Sequence, residues 1–555
     1  MSQIASLRLP RFLVTIGPWG GIALLITSLI GLPIATVLFY LLVPAWDVWD
    51  HLIDTVLSDY LLNTAGLMIG VASGVAVIGV GTAWLVTMCE IPGRRWMEWL
   101  LLLPLSTPAY VVAYAYTGLF DIAGPVQRSL RSLTGWEVGD YSFPEIRSLG
   151  GAILVLTLVL YPYVYLLARA AFIEQSVCVL EAGRVLGRRP ARCFVEIALP
   201  LARPAIVGGV ALALMESLSD FGTVQYFAVD NFTTGIYRTW LGLGEQAAAV
   251  QLAAVLLLFV LGLLMLERWS RRGGVQHTSV RYRSLPRFAV SKGAGWLGFT
   301  ACVVPVALGF ALPVGMLLAW AIQTAPQMVD AKFWVATRNS VGLAIAAAVL
   351  AVGCAICLGY ARRLSPTKPV LAASRLASLG YALPGLVVAV GILIPLGWLD
   401  QQLNAAFHTG LLLSGTVVAL LFAYTVRFLA IAYNAVDASL AKVTRSMDMA
   451  ARALGRSPRR MLVEIHTPLL RPTLLAACLL VFVDVMKELP ATLILRPFNF
   501  DTLALHIYAL AADERLADCA PAAILLVAVG ILPVVLLSRA LTRSRPGHAQ
   551  EGHLP

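Results

Sequence analysis

The chain has 555 residues, of which 59% are hydrophobic and 13% charged, with a net charge of +11 and a mean hydropathy of +0.82. A soluble domain carries roughly a quarter charged residues, so this composition excludes an ordinary soluble fold and points to a membrane protein. A net charge of this size also raises nucleic acid as a partner, and the placement of the charge decides that question.

A bilayer core takes about 20 apolar residues in a helix. The first apolar segment, Ile16–Trp46, is too long for a secretory core of roughly 7–15 residues and reads as a retained span. Twelve spans are predicted: about 14–43, 61–87, 98–120, 150–172, 203–225, 247–267, 295–320, 339–361, 376–398, 411–433, 472–495 and 519–540. The loop after the first carries Asp47, Asp50, Asp54 and Asp59, and the next carries Arg94 and Arg95. Between spans 6 and 7 lie Arg268, Arg271, Arg272, Arg281, Arg283, Arg287 and Lys292. Loops on the other side hold Arg128, Arg131, Arg147, Arg238, Lys332, Arg338, Arg496 and Arg515, and Lys487 falls within a span. By the positive-inside rule both termini are cytoplasmic. The bilayer is then the partner that accounts for the basic charge, with no nucleic acid.

The eight cysteines fall mostly in apolar stretches and suggest no disulfide framework; Cys354 and Cys357 form a C-x-x-C inside a predicted membrane helix, where packing is the expected role. His51, His408 and His506 are scattered, and no fixed metal site is expected.

The chain is duplicated. "VLGRRPARCFVEIALPLARP" (Val185–Pro204) recurs as "ALGRSPRRMLVEIHTPLLRP" (Ala453–Pro472). Asn63 matches Asn339, and "TPAYVVA" from Thr107 matches "LPGLVVA" from Leu383, both 276 residues apart. Glu216 matches Asp484, Asp220 matches Glu488 and Asn231 matches Asn499, each 268 apart. With six spans per half, the halves are parallel repeats about an axis along the membrane normal. The expected divisions are a first repeat over 1–272, a cytoplasmic linker over 273–294 and a second repeat over 295–555.

The repeated polar motif lies between spans 4 and 5 and again between spans 10 and 11. Gly187 and Gly455 are placed to end one short helix, and Pro190 and Pro458 to begin the next. A short helix held across the membrane face suits docking to a soluble partner. "EAGRVLG…IALP" and "MAARALG…IHTP" resemble the coupling loops of ABC importer permeases, here about 180–202 and 448–470. The resemblance covers essentially the whole chain as two fused permease domains. It implies the all-α type I permease fold and ATPase-coupling roles for Glu181, Ala182, Gly187, Pro200, Ala450, Gly455 and Pro468. In the second copy Met449 stands where the acidic residue is usual, and His466 with Thr467 replaces an apolar pair. No G-x-x-x-x-G-K-[ST] phosphate loop occurs, so this chain is expected to be no enzyme itself and to bind no cofactor. The resemblance implies two copies of a separate ATPase subunit, which would hold ATP and Mg.

Carboxylates inside spans cost roughly 2.5–3.5 kcal/mol at the helix centre and call for a reason. Glu216 and Asp220 are four residues apart, on one face of a continuous helix. Asp484 and Glu488 repeat the pair, with Lys487 beside them. Two readings stay open: a fixed ion network with Lys487, or an acidic lining for a hard cation. The segments "MESLSDFGTVQYFAVDNFTTGIYRTW" and "VDVMKELPATLILRPFNFDTLALHIY" resemble the ferric-iron uptake permeases. That implies a bacterial inner-membrane location, a periplasmic ferric-iron-binding protein and Fe(III) as cargo. The same architecture serves thiamine, phosphonates and polyamines. A secondary transporter independent of ATP is the rival from another class, and it has no need of the repeated loop.

Overall fold

The computed structural model describes residues 17–174, 190–271, 287–408 and 410–543. The described residues are mostly helical, and the main helices are α1 (Gly17–Tyr40), α2 (Leu57–Met88), α3 (Ala109–Phe120), α4 (Leu149–Glu174), α5 (Phe194–Ser219), α6 (Gln246–Arg271), α7 (Lys292–Met328), α8 (Ala331–Leu364), α9 (Gly385–Phe407), α10 (Val417–Lys442), α11 (Pro458–Met486) and α12 (Ala520–Arg543). Ten helices among the described residues are long and apolar enough to cross a membrane. The predicted third span is bent: Arg94–Ser106 and Ala109–Thr134 meet at 90°. Pro108 breaks it, because its ring disfavours a helical residue before it, and Thr107 is accordingly extended. The expectation of an all-α membrane protein holds, with ten such helices among the described residues, or eleven if the bent pair is one span, where twelve spans are predicted.

Two compact units divide the chain: Pro44–Ala336 with Thr502–Pro555, and Met1–Val43 with Thr337–Asp501. Sequence repeat and compact unit are therefore different divisions. α1, from the first half, belongs with helices of the second, and in the other direction α7 and α12, from the second half, belong with helices of the first. Close backbone approach fixes the memberships of α1 and α7. A Cβ on Gly391 of α9 would lie 2.6 Å from the Pro33 carbonyl of α1, and one on Gly309 of α7 would lie 2.5 Å from the Leu158 carbonyl of α4. Within the first half's unit, Gly70 and Gly74 bring α2 onto Ile153 and Thr157 of α4, since small residues let membrane helices approach.

The repeat is visible in matching bonds. Asn63 Nδ2 donates to the Asp230 carbonyl at 2.8 Å in one unit, and Asn339 Nδ2 donates to the Asp501 carbonyl at 3.1 Å in the other. Ala228 and Asn499 are both left-handed, with φ of 54° and 58°. The next helices are capped by Asn231 and Thr502. The structural counterpart of Asn231 is thus Thr502, three residues beyond the sequence match at Asn499. The second half has a longer connection there.

Candidate functional site: the coupling loops and the acidic pairs

Glu181, Ala182 and Gly187 lie outside the described residues, so the second loop shows how the motif is built. A short helix, Arg445–Ala453, ends at Gly455, whose φ of +74° suits a residue without Cβ. Gly455 N–H bonds the Arg452 carbonyl and Arg456 N–H bonds the Ala451 carbonyl, which completes a Schellman turn. Ser457 then caps the next helix through the Arg460 N–H, with Pro458 in its first turn.

The expected separate second helix is instead the start of the span. Pro190–Cys193 runs on into α5, and Pro458–Met461 is the first turn of α11. Each passes through a π turn, Phe194–Ala198 in one half and Leu462–His466 in the other. Pro200 and Pro468 explain it. A proline removes the bond to the carbonyl four residues back and its ring crowds that carbonyl, here within the π turn. A third π turn, Ala307–Ala311, precedes Pro313 in the same way.

The second loop is anchored from below. Arg363 of α8 donates through Nε to Asp448 at 2.7 Å and through its two Nη atoms to the carbonyls of Leu440 and Val443. His466 Nε2 lies 2.9 Å from the other Asp448 oxygen, and Tyr360 Oη donates to the Pro458 carbonyl at 2.7 Å. Tyr360, Ala451 and Met461 form a small buried cluster beneath. Burial pushes the Asp448 carboxyl up, but the bonds from Arg363 and His466 outweigh it and hold the group below its usual range. Met449 and Leu454 face outward at 64% and 80% exposure, and Ala450, Gly455 and Pro468 are exposed. His466, where an apolar residue is usual, thus holds the loop down. Outward apolar side chains on a fixed base suit docking.

The acidic pairs are arranged differently from a continuous helix face. α5 stops at Ser219 and α11 at Met486, and a short helix follows each break, Gly222–Tyr226 and Pro490–Leu495. Glu216 and Asp484 remain on the long helices, half-buried. Asp220 and Glu488 sit beyond the helix ends and bond the next helix. Asp220 accepts from Thr223 N, Thr223 Oγ1 and Val224 N, while Glu488 accepts from Ala491 N. Both carboxylates thus satisfy donors that a helix start leaves open. Lys487 is half-buried at the end of α11.

Glu488 has a partner that the sequence reading passed over. Arg427 of α10 donates to it at 2.8 Å, with the two side chains 5% and 4% exposed. An arginine inside the predicted 411–433 span was the available signal, because such a charge needs a counter-charge. The pair also explains a difference between the repeats. "LPGLVVA" carries Gly385 where "TPAYVVA" has Ala109, and a Cβ at Gly385 would come within 2.3 Å of Arg427 and 2.6 Å of Glu488.

A further ion pair joins loops of one unit. Arg147 makes two bonds to Glu514, at 2.8 and 2.7 Å, and lies over the ring of Tyr226. That ring abuts Tyr114, 4.6 Å between centroids. Glu514 holds the left-handed position of a Schellman turn, φ 59°, where glycine is usual.

The family profile described as "Binding-protein-dependent transport system inner membrane component" matches residues 76–268. The chain is 26% identical to the Fe(3+)-transport system permease protein FbpB 2 of Haemophilus influenzae over 529 residues, 93% of this chain and 97% of that one. It is 30% identical over 210 residues to the putative 2-aminoethylphosphonate transport system permease protein PhnV of Salmonella typhimurium, 38% of this chain and 76% of the other. The molybdenum transport system permease protein ModB of Escherichia coli is 27% identical over 201 residues, 35% of this chain and 84% of that one. The helices, the duplicated loop and these likenesses agree: the chain belongs to the family of inner-membrane permease components of binding-protein-dependent transport systems.

Proposed function

We propose that this chain forms the membrane passage of an ATP-driven importer that takes ferric iron from a periplasmic binding protein to the cytoplasm. Coverage carries the reading. The Fe(3+)-transport relative aligns with 93% of the chain, both halves included, whereas the phosphonate and molybdenum relatives align with 38% and 35%. Each half contributes one docking point for a separate ATPase that holds ATP and Mg: Glu181, Ala182, Gly187 and Pro200 in the first, Ala450, Gly455 and Pro468 in the second. Both termini lie on the cytoplasmic side with these loops.

α11 connects the second loop to the acidic pair. Its 29 residues make a rod of about 43 Å, ending one residue before Lys487. Because Asp448, His466 and Tyr360 fix the loop to the base of this rod, a displacement at the loop moves the rod's far end. The residues assigned to the cargo are Asp484, Lys487 and Glu488 in this half and, by the repeat, Glu216 and Asp220 at the end of α5 in the other. Carboxylate oxygens suit a hard cation, and Arg427 already engages Glu488, so Asp220 is the more available of the two equivalent groups.

The test is reconstitution in liposomes with the ATPase and binding proteins loaded with ferric iron, 2-aminoethylphosphonate or molybdate. Ferric-loaded protein is expected to stimulate ATP hydrolysis. Stimulation by the phosphonate-loaded protein alone would replace the iron reading with the phosphonate one, which the 30% identity to that relative favours.

A further inference from the structure

A groove of about 750 Å³ runs between α3 and α7, within one compact unit. One wall is a line of small residues on α7, Ala311, Gly315 and Ala319, each one turn from the next and all exposed. A Cβ on Gly315 would meet nothing within 4 Å, so the space in front of it is open. Trp320 closes the far wall, because a Cβ on Gly118 of α3 would strike its ring at 2.3 Å. The mouth of this apolar slot carries two opposite charges. Arg128 is held there by a 2.7 Å bond from Nη2 to the Ala123 carbonyl, and Asp121 accepts from the Ile122 N–H. Both side chains are exposed.

We propose that this groove is a binding site for one phospholipid with a zwitterionic, ammonium-bearing headgroup, such as phosphatidylethanolamine. The acyl chain lies along the small residues of α7, the phosphate meets Arg128 and the ammonium meets Asp121. Three features select this occupant. The chain is embedded in a bilayer, so lipid is the molecule that faces an open slot between two membrane helices. Trp320 of α7 already packs against Gly118 of α3, where a Cβ would lie 2.3 Å from the ring, so no further helix, about 10–12 Å across with side chains, passes between the two there. A mouth with one cation and one anion matches a headgroup with one of each, whereas phosphatidylglycerol offers a phosphate to Arg128 but only neutral hydroxyls to Asp121. Trp320 is also of the type that sits at headgroup level.

The full chain would be purified from nanodiscs made of equal parts phosphatidylethanolamine and phosphatidylglycerol, and the retained lipid measured by native mass spectrometry. Retention of one phosphatidylethanolamine is expected. Gly315→Leu, which fills the slot, should reduce it by at least about tenfold, and Asp121→Asn should remove most of the preference over phosphatidylglycerol. Equal retention by Gly315→Leu and the unaltered chain, or a membrane polypeptide in place of lipid, would overturn the proposal. If Gly315→Leu fails to fold, a photoactivatable phosphatidylethanolamine added to the unaltered chain serves instead. Crosslinks on α3 and α7 support the site, and crosslinks spread evenly over the helices refute it.

Discussion

At the residue scale, several side chains occupy positions that cost stability. Glu514 is one, since a left-handed residue with a Cβ is less favourable than glycine by about 1 kcal/mol. Glu514→Gly keeps the turn and deletes the pair with Arg147. The melting temperature is expected to change little while ATP hydrolysis stimulated by the binding protein falls; unchanged stimulation would show that the pair has no part in the cycle. The hydrogen bonds from Arg147 hold the Glu514 carboxyl below its ordinary 4.5. The pair therefore contributes fully above that value and is lost as pH falls through the lowered one, an effect kept small by exposure. Gly385 is the converse case, a residue that must lack a Cβ. Gly385→Ala should cost about 1–3 kcal/mol by displacing Arg427 from Glu488, read as a lower melting temperature.

At the element scale, the second loop is a short helix on a polar base, and two changes separate turn from base. Gly455→Val should disrupt the Schellman turn, reducing co-purification of the ATPase while membrane insertion persists. Loss of the protein from the membrane would instead mark the glycine as needed for folding. Asp448→Asn leaves Arg363 with a neutral partner and should destabilise the loop by about 1–3 kcal/mol, seen as faster proteolysis between Lys442 and Ser457. Its depressed carboxyl gives the sign for pH: the anchor is present above the usual carboxylate range and fails as acid protonates Asp448. The helical turn, its glycine and its proline were legible in the sequence because these are local signals. Arg363 and Tyr360 were not, because they come from α8, about 85 and 98 residues away from their partners Asp448 and Pro458.

At the scale of the whole molecule, the two acidic pairs test the passage. Glu488→Gln leaves Arg427 buried without its anion and should cost about 3–5 kcal/mol, whereas the double change of Arg427 and Glu488 to Gln should recover most of that. A melt in which the double variant is no more stable than the single would reject the pair as the reason. Asp220→Asn keeps an oxygen for Thr223 and Val224, so the break after α5 should survive while ferric uptake drops. Normal uptake at normal expression would remove Asp220 from the passage. Topology has its own check: a reporter after Arg272 should read cytoplasmic and one within Gly124–Glu145 periplasmic.

Composition alone specified a membrane protein, and apolar length located nearly every span, because the bilayer imposes one demand on every segment. Repetition exposed the doubled loop, since duplicated sequence keeps its register wherever a glycine or proline is required. Three matters were decided only in three dimensions. The membership of α1 with the second half's helices and of α7 with the first's follows from close approach at Gly391 and Gly309, which no hydropathy pattern records. The breaks after Ser219 and Met486 arise where a carboxylate reaches forward to the next helix, although both segments are apolar enough to continue. Glu488 takes a partner in Arg427, 61 residues away, which no neighbour in sequence announces. Charge pairing within a membrane is settled by which helices touch, and that is a property of the folded chain.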